Sequence, residues 1–66
     1  MGYALANLIM QSYKSHKEFA LQAGIPVRRV YVLIENKGRV SPEEAEKIRI
    51  ALRLSYEEAW RLFFAS

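Results

Sequence analysis

Three Ser-x-x-Glu tetrads, Ser15 to Glu18, Ser41 to Glu44 and Ser55 to Glu58, each stand immediately ahead of a stretch with helical apolar spacing. In such a tetrad the Ser hydroxyl accepts from the backbone N–H three residues on. The Glu carboxylate reaches back to the Ser N–H, so two of the donors that a helix start leaves orphaned are satisfied together. Pro42 strengthens the second tetrad, because a proline at the first helical position gives up an N–H that had no partner there. Between these starts the breakers are few: Gly24 with Pro26, then Asn36 to Arg39. Five helices are expected, over Tyr3 to Tyr13, His16 to Ala23, Pro26 to Glu35, Pro42 to Leu52 and Tyr56 to Phe64. No linker, repeat or low-complexity segment interrupts them, so residues 1–66 read as one all-α domain.

Helical spacing selects the core: Leu5, Leu8 and Ile9 on the first helix, Phe19 and Ala20 on the second, Val30, Leu33 and Ile34 on the third, and Ala45, Ile48, Ala51 and Leu52 on the fourth. The fifth offers Ala59, Trp60, Leu62, Phe63 and Phe64, and the aromatic stripe of Tyr56, Trp60, Phe63 and Phe64 is core by default. That is more apolar surface than one side of a short helix can bury. Phe63 and Phe64 are consecutive and cannot point the same way, so part of this face is expected to meet a partner subunit. The first helix, with Tyr3, Ile9, Met10 and Tyr13, is the other candidate for that contact.

A 66-residue chain buries a modest fraction of its surface, and self-association would help it. Cysteine is absent, which excludes disulfides and thiolate zinc sites and favours the cytosol. The apolar start, Met1 to Met10, carries no Lys or Arg before Lys14 and reads as a core helix rather than a signal peptide. Apolar runs such as Val30 to Ile34 fall far below the roughly 20 residues that span a bilayer.

The net charge is +3, and its distribution says more than its size. Between Lys14 and Arg39, the basic residues Lys14, Lys17, Arg28, Arg29, Lys37 and Arg39 face only Glu18 and Glu35, a local balance of +4. From Val40 onward, four basic residues face five glutamates. The positive field belongs to the middle of the chain, where a polyanion would approach.

That middle segment, Ser15 to Asn36, holds two short helices joined by Gln22-Ala23-Gly24-Ile25-Pro26. Glycine permits the left-handed backbone that ends the first helix sharply and lets the next leave at a steep angle. Ala20, four residues earlier, lets the second helix cross closely over the first, with Phe19, Ile25, Val30 and Leu33 fixing the pair. The segment Ser-His-Lys-Glu-Phe-Ala-Leu-Gln-Ala-Gly-Ile, then Val30 and Leu33, Ile-Glu-Asn, Ser-Pro-Glu-Glu and Ile-Arg-Ile-Ala-Leu-Arg-Leu-Ser together resemble the lambda-repressor and Cro-like helix-turn-helix family, from about Leu5 to Phe64. The resemblance implies a compact five-helix DNA-binding domain acting as a dimer on operator DNA with two half-sites, as in small phage repressors. Three departures are visible. Pro26 stands where the family usually has Ser or Thr, Ile-Glu-Asn falls one residue later than the commonest pattern, and His16 replaces the usual Gln.

With Val30, Leu33 and Ile34 turned inward, Val27, Arg28, Tyr31 and Val32 are left to face outward or sideways. Arg28 is the candidate for direct readout, since its planar fork matches guanine O6 and N7. Val27 and Val32 either pack on thymine methyl groups or against a neighbouring helix. Arg29 and Tyr31 are expected at phosphates, Tyr31 being alternatively half-buried core, while Lys17, Lys37 and Arg39 flank the groove and grip the backbone. His16 is either an exposed imidazole or a further phosphate contact.

A sequence-specific repressor that occupies double-stranded DNA is therefore expected. A protein-interaction module of the same fold, such as an antirepressor or adaptor using the C-terminal helix, is the second reading. An enzyme is disfavoured, because Ser and Glu serve here as caps and no nucleophile, base and orienting group are spaced to work together. No cofactor, metal or small-molecule ligand is implied. A membrane-surface helix is equally disfavoured, since Tyr56 to Phe64 carries Glu57 and Glu58 against one Arg61.

Overall fold

Three helices begin where the serines put them in the computed structural model, which describes residues 2–64. In chain order the helices are α1 (Gly2–Ser12), α2 (His16–Ala23), α3 (Val27–Ile34), α4 (Pro42–Ala51) and α5 (Tyr56–Phe64), with no strand among the described residues. At α4 the cap is reciprocal: Glu44 N donates to Ser41 Oγ (3.1 Å) and Ser41 N to Glu44 Oε1 (3.0 Å). At α5 the same two bonds join Ser55 and Glu58 at 3.1 and 2.8 Å. The first tetrad closes only on one side. Glu18 N donates to Ser15 Oγ (3.1 Å), but the Glu18 carboxylate takes the N–H of Lys14 (3.4 Å) in place of that of Ser15.

Helix α3 has no side-chain cap. Pro26, expected inside the helix, is its N-cap with ψ 138°, and its carbonyl accepts from Arg29 N (2.9 Å) and Val30 N (3.2 Å). The fixed proline φ and extended ψ aim the chain into the helix without a hydroxyl.

Helices α2, α3 and α4 each end on a residue with left-handed backbone: Gly24 (φ 76°), Asn36 (φ 58°) and Arg53 (φ 56°). At the last two the chain closes with the paired bonds of a Schellman turn, Asn36 N to Leu33 O with Lys37 N to Val32 O, and Arg53 N to Ile50 O with Leu54 N to Arg49 O. A Cβ on Gly24 would meet nothing within 4 Å, so its backbone conformation, not crowding, is what calls for glycine. Asn tolerates this region through local hydrogen bonds; Arg has no such compensation. Replacing exposed Arg53 with Gly is expected to stabilise the fold by about 0.5–1 kcal/mol, the relieved strain exceeding the added chain entropy. Thermal unfolding followed by circular dichroism should show the midpoint rising by about 2–6 °C, and a fall would mean that the Arg53 side chain stabilises the turn.

The core is Leu5, Ile9, Phe19, Ala20, Ala23, Ile25, Val30, Leu33, Ile48 and Leu52, closed by half-buried Leu8, Ile34, Val40, Ala51, Leu54, Leu62 and Phe63. Helix α2 packs on α1, α3 and α4, α1 also lies against α3, and α5 rests on α4, giving a body of 25 × 24 × 20 Å. Tyr13 belongs to this interior and not to an outward contact face: its ring meets Phe19 edge-on at 5.3 Å and its hydroxyl donates to Ala51 O (2.7 Å). Ile9 is fully buried, which leaves Tyr3 and Met10 as the exposed members of the expected contact set on α1. On α5 only Ala59 is buried. Tyr56, Trp60 and Phe64 stand exposed instead of in the core, because the inward side of the helix is already filled by Ala59, Leu62 and Phe63. No described helix is long and apolar enough to cross a membrane.

Candidate nucleic-acid interface

Helix α3 turns Val30 and Leu33 into the core, and at about 100° per residue Arg28 falls nearly opposite their mean direction. Arg28 is exposed and has no hydrogen-bond or ion-pair partner among the described residues. Val27 and Tyr31 lie to one side of it, at 37% and 46% exposure, wide enough open to touch a ligand. Tyr31 leans on the first turn of α2, its ring edge-on to His16 at 5.3 Å. His16 is thus half-buried and not an exposed imidazole; its Nε2 is enclosed without a partner. Lys17, next along α2, is exposed.

The other flank of α3 is built differently. Arg29, expected at a phosphate, is half-buried and bound within the chain. Its Nε donates to Glu44 Oε2 (2.6 Å) and its Nη2 to Glu44 Oε1 (3.0 Å) and to the Arg39 carbonyl. Val32 is half-buried beneath the loop after α3: a Cβ on Gly38 would come within 2.9 Å of both Val32 Cγ1 and Arg29 Nη1. Of the outward set, then, Val32 joins Arg29 in holding the loop, while Val27, Arg28 and Tyr31 face solvent. Lys37 and Arg39 are exposed on that loop, Lys37 3.6 Å from Glu35 in an open pair that contributes little.

Glu44 is the residue that sequence reasoning missed as part of this region. It caps α4 and holds Arg29 with the same carboxylate, so the α4 N-terminus is tied to the flank of α3. Lys47, one turn on, reaches toward the Gly24 carbonyl at the end of α2 (3.5 Å). The hydrogen bonds from Arg29, and then that from Ser41 N–H, hold the Glu44 carboxyl well below the usual carboxylate range, at about 2.

An acid dependence follows. Because the folded value is depressed, the stabilisation is complete above the unfolded value near 4.5 and is lost as pH falls toward about 2. Discounted for partial exposure, the Glu44 contribution is about 1–2 kcal/mol. The thermal midpoint should therefore drop between pH 5 and 2.5, and drop less in Glu44→Gln. Part of the fall persists in that variant, since Arg49 lowers Glu46 and the Ser55 N–H lowers Glu58 in the same direction. Equal acid sensitivity of wild type and variant would show that the pair is not formed in solution.

No family model matches this chain, and neither does any curated protein or solved structure.

Proposed function

We propose that this chain is a sequence-specific DNA-binding protein of helix-turn-helix type, in which α2 and α3 form the motif and α3 enters the major groove. The observation that carries the reading is the outer side of α3: an arginine at its apex with no partner among the described residues, with half-exposed Val27 and Tyr31 to one side, within the segment of the chain that concentrates positive charge. A guanidinium there can read guanine, an apolar side chain can meet a thymine methyl, and Lys17, Lys37 and Arg39 can neutralise phosphates on either side. The sharp left-handed end of α2 at Gly24 supports the same reading, since it ends α2 abruptly just ahead of α3, as a helix-turn-helix requires. The protein acts as a repressor by occupying an operator, without chemistry of its own.

A homodimer is part of the proposal. Trp60 and Phe64 lie with ring centroids 4.9 Å apart, tilted by 41°, on the open side of α5, 61% and 56% exposed, and line a groove of about 660 Å³ shared with α4. Exposed aromatic surface of this kind marks an interaction site. The same observation favours the second reading, a protein-interaction module whose partner is another protein rather than DNA.

Fluorescence anisotropy with mixed-sequence duplex DNA over a range of salt tests the choice. Binding that weakens steeply with salt is expected, the logarithmic slope falling by about 0.9 per phosphate neutralised. No binding at low salt, where even non-specific attachment appears, would reject the DNA reading in favour of a protein partner at α5.

A further inference from the structure

We propose that Arg29 and Glu44 together form a positioning device for α3, so that Arg29 serves DNA recognition by fixing the orientation of Arg28 and not by touching phosphate. The inference rests on the DNA-binding reading and specifies how its surface is held.

Buried Val30 and Leu33 set which side of α3 faces inward, and with eight residues and no side-chain cap little else within the helix fixes its finer rotation about its own axis. Two contacts on opposite flanks do so. On the α2 side the Tyr31 ring lies against His16, and on the α4 side Arg29 spans from α3 to Glu44 and the Arg39 carbonyl. Arg28 projects between these two anchors. A rotation of about 10–20° is enough to take a two-pronged contact out of register, and each anchor restrains α3 on one flank of Arg28. Glu44 is itself fixed, its Oε1 accepting from Ser41 N in the α4 cap, so the strut ends on a rigid element and not on a free side chain. The fork geometry matters: Nε and Nη2 address the two carboxylate oxygens separately, which a lysine cannot do.

Meeting a phosphate with Nε or Nη2 would require Arg29 to abandon its carboxylate bonds or the Arg39 carbonyl, and only Nη1, which lies against the loop at Gly38, is uncommitted. Breaking the carboxylate bonds would also leave Glu44 uncompensated beside the DNA. The two roles consequently predict opposite signs for one substitution. On charge alone, Glu44→Gln adds to the positive balance and frees Arg29, and should strengthen DNA binding. As part of a strut, Glu44→Gln loosens α3 and weakens it. Gln can still accept from Ser41 N, so the helix cap survives and the pair alone is removed.

The experiment uses duplex DNA selected by the wild-type protein from a random pool. Affinity and salt slope are measured for wild type, Glu44→Gln, Arg29→Lys, Arg29→Met and the double variant Arg29→Met with Glu44→Gln, each corrected for its folded fraction by circular dichroism. Each single variant, Arg29→Lys included, should bind about 5- to 20-fold more weakly per folded molecule, and the double variant no more weakly than the singles. The salt slope should stay at its wild-type value. A role confined to stability would lower the midpoint and leave the affinity of folded protein unchanged. Tighter binding by Glu44→Gln, wild-type affinity in Arg29→Lys, or a slope reduced by about 0.9 in Arg29→Met would overturn the proposal and make Arg29 a phosphate contact. Wild-type protein that binds no duplex at low salt sinks the DNA reading itself and this role with it. Wild-type binding with a tighter Glu44→Gln variant sinks the positioning role alone.

Discussion

Phe19→Ala is expected to leave the chain unfolded or without fixed tertiary structure at 25 °C. Phe19 is the largest fully buried side chain, and it belongs to α2, the helix against which α1, α3 and α4 all pack. Truncating a buried phenylalanine costs about 3–5 kcal/mol, the lost transfer free energy plus that of an incompletely collapsed cavity. A single core in a chain of this length supplies about 3–5 kcal/mol in all. Loss of the Phe19 ring also removes the edge-on partner of Tyr13, whose hydroxyl ties α1 to the last turn of α4. Circular dichroism should show the cooperative thermal transition disappear. A retained transition lowered by less than about 10 °C would mean that the cavity collapses and that the helices are held mainly by other contacts.

Why so much of this architecture is legible in the sequence comes down to range. Cap chemistry is decided within four residues, so Ser15, Ser41 and Ser55 mark the starts of α2, α4 and α5 without reference to the rest of the chain. The inward faces follow from spacing on a single helix, which is why Leu5, Ile9, Phe19, Val30, Leu33 and Ile48 are identifiable as core. The excess of apolar surface on α5 is legible for the same reason, though not which rings stay outside. Periodicity puts Trp60 and Phe63 on similar footing. Only the course of α5 over α4 half-buries Phe63 and leaves Trp60 open.

The illegible features are those satisfied from a distance. The Tyr13 hydroxyl finds a carbonyl 38 residues away, and the Arg29 guanidinium a carboxylate 15 residues away. Nothing in their immediate neighbours separates them from an exposed tyrosine and a free surface arginine. The adjacent pair Arg28 and Arg29 makes the point directly: two identical side chains, one turned to solvent and one bound to Glu44, distinguished only by about 100° of helix and by what stands on that side. The end of α4, expected at Leu52 and found at Ala51 with Leu52 as its cap, is legible, but the residue that closes the turn after it is not. Arginine carries no preference for left-handed backbone, so Arg53 gives no stop signal, whereas Gly24 and Asn36 do.

Arg28→Glu should separate the fold from its proposed use more cleanly than any other change. An exposed, unpaired side chain on a helix can be replaced within about ±0.5 kcal/mol of wild-type stability, so the variant should unfold at nearly the wild-type midpoint. Its DNA binding should fall by a factor of about 100 or more. Losing a two-pronged arginine contact to guanine removes about 1–3 kcal/mol of discrimination, and a carboxylate at the apex of α3 adds repulsion from the phosphates on both sides of the groove. Arg53→Glu is the matching control, because it makes the same change of charge at an exposed position on the turn after α4. If long-range attraction alone held the protein to DNA, the two reversals would weaken binding equally and act only through the salt-dependent term. If α3 reads bases, Arg28→Glu should also lose the preference of the wild type for its selected duplex over mixed sequence, while Arg53→Glu keeps it. Equal behaviour of the two variants would remove Arg28 from the proposed recognition surface and, with it, the main observation on which the proposal of α3 in the groove rests.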